Sequence, residues 1–120
     1  MAQLIFKRGD IHWVEFPKSK KKIHTIQEEH PAVIISNNKQ NQFSPVITVL
    51  PITSQVDKTY PFEVLISLDK PSKMLLDQIT TIDKVYVKKK ITSLTEKEIK
   101  VIERKLHFTL ALPCFLESKI

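Results

Sequence analysis

The sequence predicts a mainly β fold of the α+β class, in which short strands are followed by one C-terminal helix. The chain of 120 residues has one glycine and seven prolines, and the prolines divide it into short segments rich in β-branched residues. In the last third of the chain the apolar residues change to a helical spacing. A chain of this length buries roughly two-thirds of its unfolded surface, so we expect residues 1–120 to form a single domain.

Two strands are predicted in the first third of the chain. Ile11–Phe16 ends at a proline, and Pro31–Ser36 is a continuous apolar run typical of a buried strand. The polar connection 17–30 between them is far longer than a hairpin turn of ~2–5 residues, and loops of that length are usually functional or disordered. The polar run 37–41 is predicted to be a turn.

Three further strands are predicted at Val46–Thr53, Pro61–Ser67 and Met74–Ile82. The first of these delivers the hydroxyl groups of Thr53 and Ser54 to its carboxyl end. Core packing does not require hydroxyl groups there, which indicates a binding role.

A helix is predicted to begin after Thr95, because Thr95 and Glu98 form a capping box and Leu94 can pack on Ile99. Its apolar residues fall on one face until Pro113 ends the pattern. We expect that face to pack against the sheet or a second subunit; it comprises Ile99, Ile102, Leu106 and Leu110.

The formal net charge of +6 is concentrated in two lysine clusters. Such clusters favour nucleic acid or an acidic protein as a partner, although either one could be a solvated loop. Cys114 is the only cysteine and is interpreted as a small core or interface hydrophobe. With no signal peptide or membrane span in the sequence, a cytoplasmic location is expected. The first cluster consists of Lys18, Lys20, Lys21 and Lys22, and the second of Lys88, Lys89 and Lys90.

Six short motifs, in this order, resemble the MazF/PemK family of toxin endoribonucleases over nearly the whole chain. They are Arg8-Gly9-Asp10-Ile11, His30-Pro31-Ala32-Val33-Ile34-Ile35-Ser36-Asn37, Phe43-Ser44-Pro45, Pro51-Ile52-Thr53-Ser54, Tyr60-Pro61-Phe62-Glu63-Val64 and Leu76-Asp77-Gln78-Ile79-Thr80-Thr81-Ile82-Asp83-Lys84. The family also has a helix where the capping box stands.

The resemblance implies a small SH3-like β-barrel of the MazF/PemK/CcdB type that forms a homodimer. It further implies a toxin that cuts single-stranded mRNA at short sequences, needs no metal or cofactor, and is neutralised by an acidic antitoxin. In that family the ribose 2′-hydroxyl attacks the adjacent phosphate, which requires a base, an acid and donors for the charge on phosphate.

The sequence departs from the family pattern at two arginine positions. His30 stands where the family has an arginine before the proline of the second strand, and Thr80 replaces a second arginine. Thr53, in contrast, keeps the family threonine. Two positions that carry a permanent positive charge in the family are therefore neutral or only partly charged here.

Our hypothesis gives His30 the acid–base role, because an imidazole can carry a proton either way near neutral pH. Thr53 would hold or polarise a phosphate oxygen, and Glu28 or Glu29 would orient the imidazole. The positive charge of the missing arginines would come from three lysines of the long connection, Lys20, Lys21 and Lys22, which are also predicted to bind RNA.

Further RNA contacts are predicted at Trp13 and Phe16, whose rings could stack on bases, and at Ser54, Asp77 and Gln78. Some of the candidate site residues have a structural alternative. At least one of the two rings is expected in the core, Gln78 could pair with backbone, and Thr53 could cap a turn. His12 is expected at the surface or an interface.

Two other functions remain open from the sequence. A histidine cannot make the bidentate, permanently charged phosphate contact of an arginine, so the chain could be a degenerate member that binds RNA or an antitoxin without cleavage. The same barrel also occurs in gyrase-poisoning toxins, which act by protein binding through a C-terminal helix.

Overall fold

Seven antiparallel strands and two helices form residues 4–113, the part of the chain that the computed structural model describes. The strands are β1 Asp10–Phe16, β2 Glu28–Ile34, β3 Val46–Thr53, β4 Glu63–Ser67, β5 Pro71–Leu75, β6 Thr80–Asp83 and β7 Val87–Ser93; the helices are α1 Asn38–Phe43 and α2 Glu96–Thr109. Their order in the sheet is β4-β5-β3-β2-β1-β7, and β6 also pairs with β3. The mainly β fold with a C-terminal helix is confirmed. The ladders between these strands do not close, so the barrel is loose.

The sheet has an apolar core on each face. Alternate residues of a strand point to opposite faces, so Ile11 of β1 packs under α2 with Leu50, whereas Val14 and Phe16 join the second core with Ile47. Both faces of the central strands are therefore covered.

Helix α2 begins as predicted. The Thr95 hydroxyl accepts from the Glu98 N–H at 3.2 Å, and the Glu98 carboxylate accepts from the Thr95 N–H at 2.8 Å. Ile102 is buried in the core under the helix. Leu110, predicted to be on the packed face, is instead 49% exposed because it lies past the last turn of α2.

Gly9 has a left-handed conformation, with φ of 91°, where the chain enters β1. A Cβ there would lie 2.7 Å from the Ile99 Cδ1 of α2. We expect Gly9→Ala to lower the free energy of unfolding by about 1–3 kcal/mol, since it combines backbone strain with a contact against a packed helix. Urea unfolding measures the change, and Lys7→Ala on the same segment is the control. An unchanged midpoint in Gly9→Ala would contradict this explanation.

The predicted turn at 37–41 is wrong, because this segment begins helix α1. The Asn37 side chain caps α1 by accepting from the Gln40 N–H at 2.9 Å. Asn41 is buried, and its side-chain amide donates to the Ser36 carbonyl at 2.9 Å. Asparagine favours both helix caps and turns, which is why the run was interpreted as a turn.

Several strand boundaries also differ from the prediction. The segment predicted as one strand, Met74–Ile82, contains the end of β5, a 3₁₀ turn at Leu76–Gln78 and the start of β6. Strand β4 begins at Glu63 and not at Pro61. Strand β2 spans Glu28–Ile34 and not Pro31–Ser36, so His30 belongs to a strand and not to the preceding connection.

Strand β7 was not predicted, because its lysines hid the strand pattern. Lys88–Lys90 lie on β7, which pairs only with β1 and so forms an edge of the described sheet. Exposed lysines on an edge strand discourage pairing with other chains. This cluster is therefore part of the sheet and not a solvated loop.

His12 was expected at the surface or an interface, but it is 1% exposed within the chain. Its Nδ1 lies 2.9 Å from the carbonyl oxygen of Lys88 on the neighbouring strand, and its ring packs on Phe6. The interpretation of Cys114 falls outside the described residues. Within residues 4–113, no helix is both long enough and apolar enough to cross a membrane.

Candidate active site

A pocket opens where β2 and β3 separate. Their ladder runs from Ile34–Val49 to Ala32–Pro51 and stops there, next to Pro31. Neither Pro31 nor Pro51 has a backbone N–H with which to extend the ladder. Two further steps of the same register would bring His30 opposite Thr53, so these side chains stand at the mouth of the gap.

The pocket has a volume of about 270 Å³ and takes residues from five parts of the sheet. Strands β1 and β7 form one wall, the beginning of β2 and the end of β3 form the centre, and the β4–β5 hairpin forms the other wall. The lining consists of Trp13, Glu29, His30, Pro31, Ile52, Thr53, Ser54, Leu68, Asp69, Lys70, Ser72 and Ile91.

Thr53 is half-buried, and its hydroxyl is oriented by the turn that follows β3. Its Oγ1 accepts from the Gln55 N–H at 3.2 Å, which is the turn-capping contact named as its structural alternative. A hydroxyl group can accept and donate at once, which leaves the Thr53 proton for another acceptor. Ser54 is exposed beside it on the lining.

His30 is half-buried on β2, opposite Val14 of β1. Glu29 lies on the pocket lining with it, whereas Glu28, which has φ of 68°, does not. Of the two carboxylates proposed to orient the imidazole, only Glu29 is thus placed at the pocket. An imidazole that can take or release a proton stands here near a hydroxyl that can donate, an arrangement suited to acid–base chemistry on an anionic group.

The two aromatic candidates have different environments. Trp13 is 38% exposed on the lining, opposite Pro31, whereas Phe16 is 2% exposed in the second core. The expectation that at least one ring is in the core is confirmed. Phe16 is buried too deeply to stack on a base, so Trp13 is the remaining aromatic candidate.

The lysine cluster that was predicted to supply positive charge to the site does not line the pocket. Lys20, Lys21 and Lys22 are all exposed in the connection between β1 and β2, and none of the three belongs to the lining. The Lys21 N–H donates to the Ser19 hydroxyl at 3.1 Å, so this part of the connection forms a local turn. The expectation that these lysines replace the arginine charge therefore stays a prediction, and they would have to act from outside the pocket lining.

The remaining predicted contacts, Asp77 and Gln78, also lie outside the pocket. Asp77 is exposed in the turn after β5. The Gln78 side chain accepts from the Ile26 N–H at 2.7 Å and donates to the His24 carbonyl at 3.5 Å. Gln78 thus holds the connection between β1 and β2 in place, as its structural alternative predicts.

The sequence reasoning missed the residues that the β4–β5 hairpin adds to the pocket. Asp69, Lys70 and Ser72 belong to this hairpin, and nothing in their local sequence indicates a site. They reach the pocket because β5 pairs with the end of β3, with Lys73 opposite Thr53. The one signal in the sequence is the run Asp69-Lys70-Pro71, which indicates a turn. It does not indicate that this turn lies beside a pocket.

Comparisons with known proteins give a consistent result. Residues 7–110 match the model of the PemK-like, MazF-like toxin of type II toxin–antitoxin systems. The chain is 39% identical over 88 residues to the endoribonuclease MazF of Staphylococcus saprophyticus. The aligned segment covers 68% of this chain and 73% of that protein.

Solved structures share the fold at lower sequence identity. The crystal structure of MazF from Deinococcus radiodurans has a TM-score of 0.78 at 21% identity and covers 92% of this chain and 100% of that one. A mycobacterial endoribonuclease in complex with its cognate antitoxin has a TM-score of 0.73 at 21% identity, covering 90% and 97%.

Proposed function

Because the chain belongs to the PemK-like, MazF-like toxin family of type II toxin–antitoxin systems, we propose that it is a metal-independent endoribonuclease specific for short sequences in single-stranded mRNA. Cutting mRNA would inhibit translation and growth. The observation that carries the proposal is the pocket between β2 and β3, which places His30 and Thr53 at one opening. The His30 imidazole can transfer protons and the Thr53 hydroxyl can donate a hydrogen bond, and attack of a 2′-oxygen on phosphorus requires both kinds of group.

In the proposed reaction the 2′-oxygen bonds to phosphorus and the bond from phosphorus to the 5′-oxygen breaks. A base takes the 2′-hydroxyl proton and an acid gives a proton to the leaving oxygen, so a 2′,3′-cyclic phosphate and a 5′-hydroxyl result. His30 takes the proton of the 2′-hydroxyl and then gives it to the leaving 5′-oxygen. The Thr53 oxygen already accepts a hydrogen bond from the Gln55 N–H, which orients the hydroxyl group. Its proton is then donated to a non-bridging phosphate oxygen.

Contacts to the rest of the RNA are assigned to the pocket rim and the connection between β1 and β2. Trp13 stacks on an unpaired base, and Ser54 donates to a neighbouring group. The cluster Lys20–Lys22 attracts the backbone from outside the pocket through long-range electrostatics. Asp77 contributes to the RNA path beyond the pocket, and Gln78 acts by holding the connection in place.

The proposed partners follow from the same assignment. An acidic antitoxin would compete with RNA for the basic surface, since both are polyanionic. A complex between toxin and antitoxin has been solved for the mycobacterial relative. We propose that this chain also acts as a homodimer, in the cytoplasm.

Trp13→Ala is expected to weaken the binding of single-stranded RNA by about 1–3 kcal/mol and to leave the fold intact, because the ring stacks on a base and is not part of the core. Phe16→Ala, three positions along the same strand, is the matched contrast. It should instead lower the free energy of unfolding by about 3–5 kcal/mol. Fluorescence anisotropy with a labelled RNA measures the first effect and urea unfolding the second. Equal RNA binding by wild type and Trp13→Ala would contradict the assignment of Trp13 to the RNA-binding site.

A second candidate function is binding of RNA or an antitoxin without cleavage. One observation favours it: among the described residues, the pocket lining contains two carboxylates, Glu29 and Asp69, and no arginine. Incubation of the purified protein with a long single-stranded RNA in EDTA separates the candidates. Discrete cuts support the endoribonuclease, whereas RNA that is retained but intact supports the binding module.

A further inference from the structure

Lys70 lies on the lining of the pocket that contains His30 and Thr53, at the tip of the β4–β5 hairpin. The other acidic or basic side chains on that lining are Glu29, Asp69 and His30. An RNA phosphate entering the pocket would meet two carboxylates, and no arginine lies on the described lining. Among the described lining residues, Lys70 is thus the one lysine or arginine.

Neither Lys73 nor the cluster Lys20–Lys22 is available to the pocket. The Lys73 ammonium is buried, 2.9 Å from the Glu63 carboxylate and 2.6 Å from the Lys58 carbonyl oxygen. The cluster Lys20–Lys22 does not reach the lining. Within residues 4–113 the Lys70 ammonium has no ion pair or hydrogen bond, so it is available to a ligand.

The backbone of Lys70 is held in a defined place over the pocket. Its carbonyl oxygen accepts from the Ser72 hydroxyl at 3.0 Å and from the Leu68 N–H at 3.3 Å, which orders the hairpin tip. Strand β5 is in turn paired with β3 through Lys73, opposite Thr53. Lys70 and Ser72 lie two positions apart along the chain, and both of them belong to the lining.

We propose that Lys70 supplies the fixed positive charge of this site, with its ammonium on a non-bridging oxygen of the phosphate that is cut. This inference rests on the proposed function. Negative charge accumulates on these oxygens as the 2′-oxygen adds to phosphorus, so a cation placed there stabilises the transition state more than the bound substrate. His30, on β2, has no permanent charge with which to stabilise the phosphate. Lys70 supplies that charge from the hairpin.

Single-turnover cleavage by three variants tests the catalytic part of the proposal. Lys70→Gln should be slower than wild type by roughly 100-fold, the usual loss when one donor to a developing oxyanion is removed. Lys70→Arg should retain most of the rate, because it restores the charge. Lys97→Gln, which removes the same charge from the exposed surface of α2, should cut as fast as wild type. Equal rates for Lys70→Gln and Lys97→Gln would overturn the proposal.

A binding experiment separates this inference from the proposed function. The probe is a single-stranded RNA with 2′-O-methyl groups on every ribose, which keeps the phosphates but cannot be cut by the 2′-oxygen. For Lys70→Gln the slope of log K against log salt should be shallower by about 0.7, corresponding to one lost phosphate contact, and unchanged for Lys97→Gln. If wild type cuts no RNA, the proposed function fails, and this slope alone decides whether Lys70 contacts phosphate. An unchanged slope in Lys70→Gln would overturn that contact.

Discussion

His30→Ala is expected to lower the single-turnover rate of RNA cleavage by roughly 100- to 10,000-fold, because it removes the group that transfers a proton in the reaction. Thr53→Val should also lose activity, since it keeps the shape of the side chain and removes the donor to phosphate. Thr53→Ser, which retains a hydroxyl, should recover much of the rate. The measurement is the rate of fragment formation with enzyme in excess over a defined RNA.

Urea unfolding of the same variants controls for loss of structure. Both residues are half-buried at the edge of the pocket and belong to neither apolar core, so the unfolding midpoints should stay close to wild type. Full activity in a folded His30→Ala protein would contradict the assignment of acid–base chemistry to this residue. Equal loss in Thr53→Val and Thr53→Ser would contradict the role of the hydroxyl group.

Lys73→Met is expected to lower the free energy of unfolding by about 3–5 kcal/mol, because it leaves the Glu63 carboxylate buried without its partner. The two side chains are 10% and 7% exposed, and the ammonium lies 2.9 Å from the carboxylate. The same carboxylate accepts from the Tyr60 N–H at 2.9 Å, and the ammonium donates to the Lys58 carbonyl. The pair therefore also anchors the loop between β3 and β4.

Two further variants make this prediction specific to burial. Lys73→Met combined with Glu63→Leu should recover a large part of the loss, since no buried charge is then left without a partner. Lys88→Met removes the lysine of a pair with Glu15 that is 3.4 Å long and about half exposed, and it should cost less than about 1 kcal/mol. Urea unfolding of all three gives the comparison. Similar losses for Lys73→Met and Lys88→Met would contradict the stabilising role of the buried pair.

Elements with strong local signals in the sequence were predicted correctly. The bounds of β3 were predicted correctly from an apolar run that ends in hydroxyl residues, and the start of α2 from its capping box. The division of Met74–Ile82 was missed because no glycine or proline marks the 3₁₀ turn within it. The β7 strand was missed because an edge strand carries lysines where a central strand carries apolar residues.

The site was predictable in part. The order of motifs singled out His30 and Thr53, and the register of β2 with β3 explains why residues so far apart in sequence share one opening. The prediction that Lys21 and its neighbours supply positive charge rested on their closeness to His30 in sequence, and the structure does not place them on the pocket lining. The contribution of Lys70 depends instead on a long-range pairing of β5 with β3, which no local pattern reports.

The central claim is that this pocket activates a ribose 2′-hydroxyl, and a single substitution in the RNA tests it most directly. Once a cut has been mapped, the nucleotide on its 5′ side is replaced by the 2′-deoxynucleotide in an otherwise unchanged RNA. We predict that cleavage at that bond disappears, whereas the unmodified RNA yields a 2′,3′-cyclic phosphate and a 5′-hydroxyl. Continued cleavage of the substituted RNA at the same bond would contradict the mechanism, because the attacking oxygen would then have to come from elsewhere.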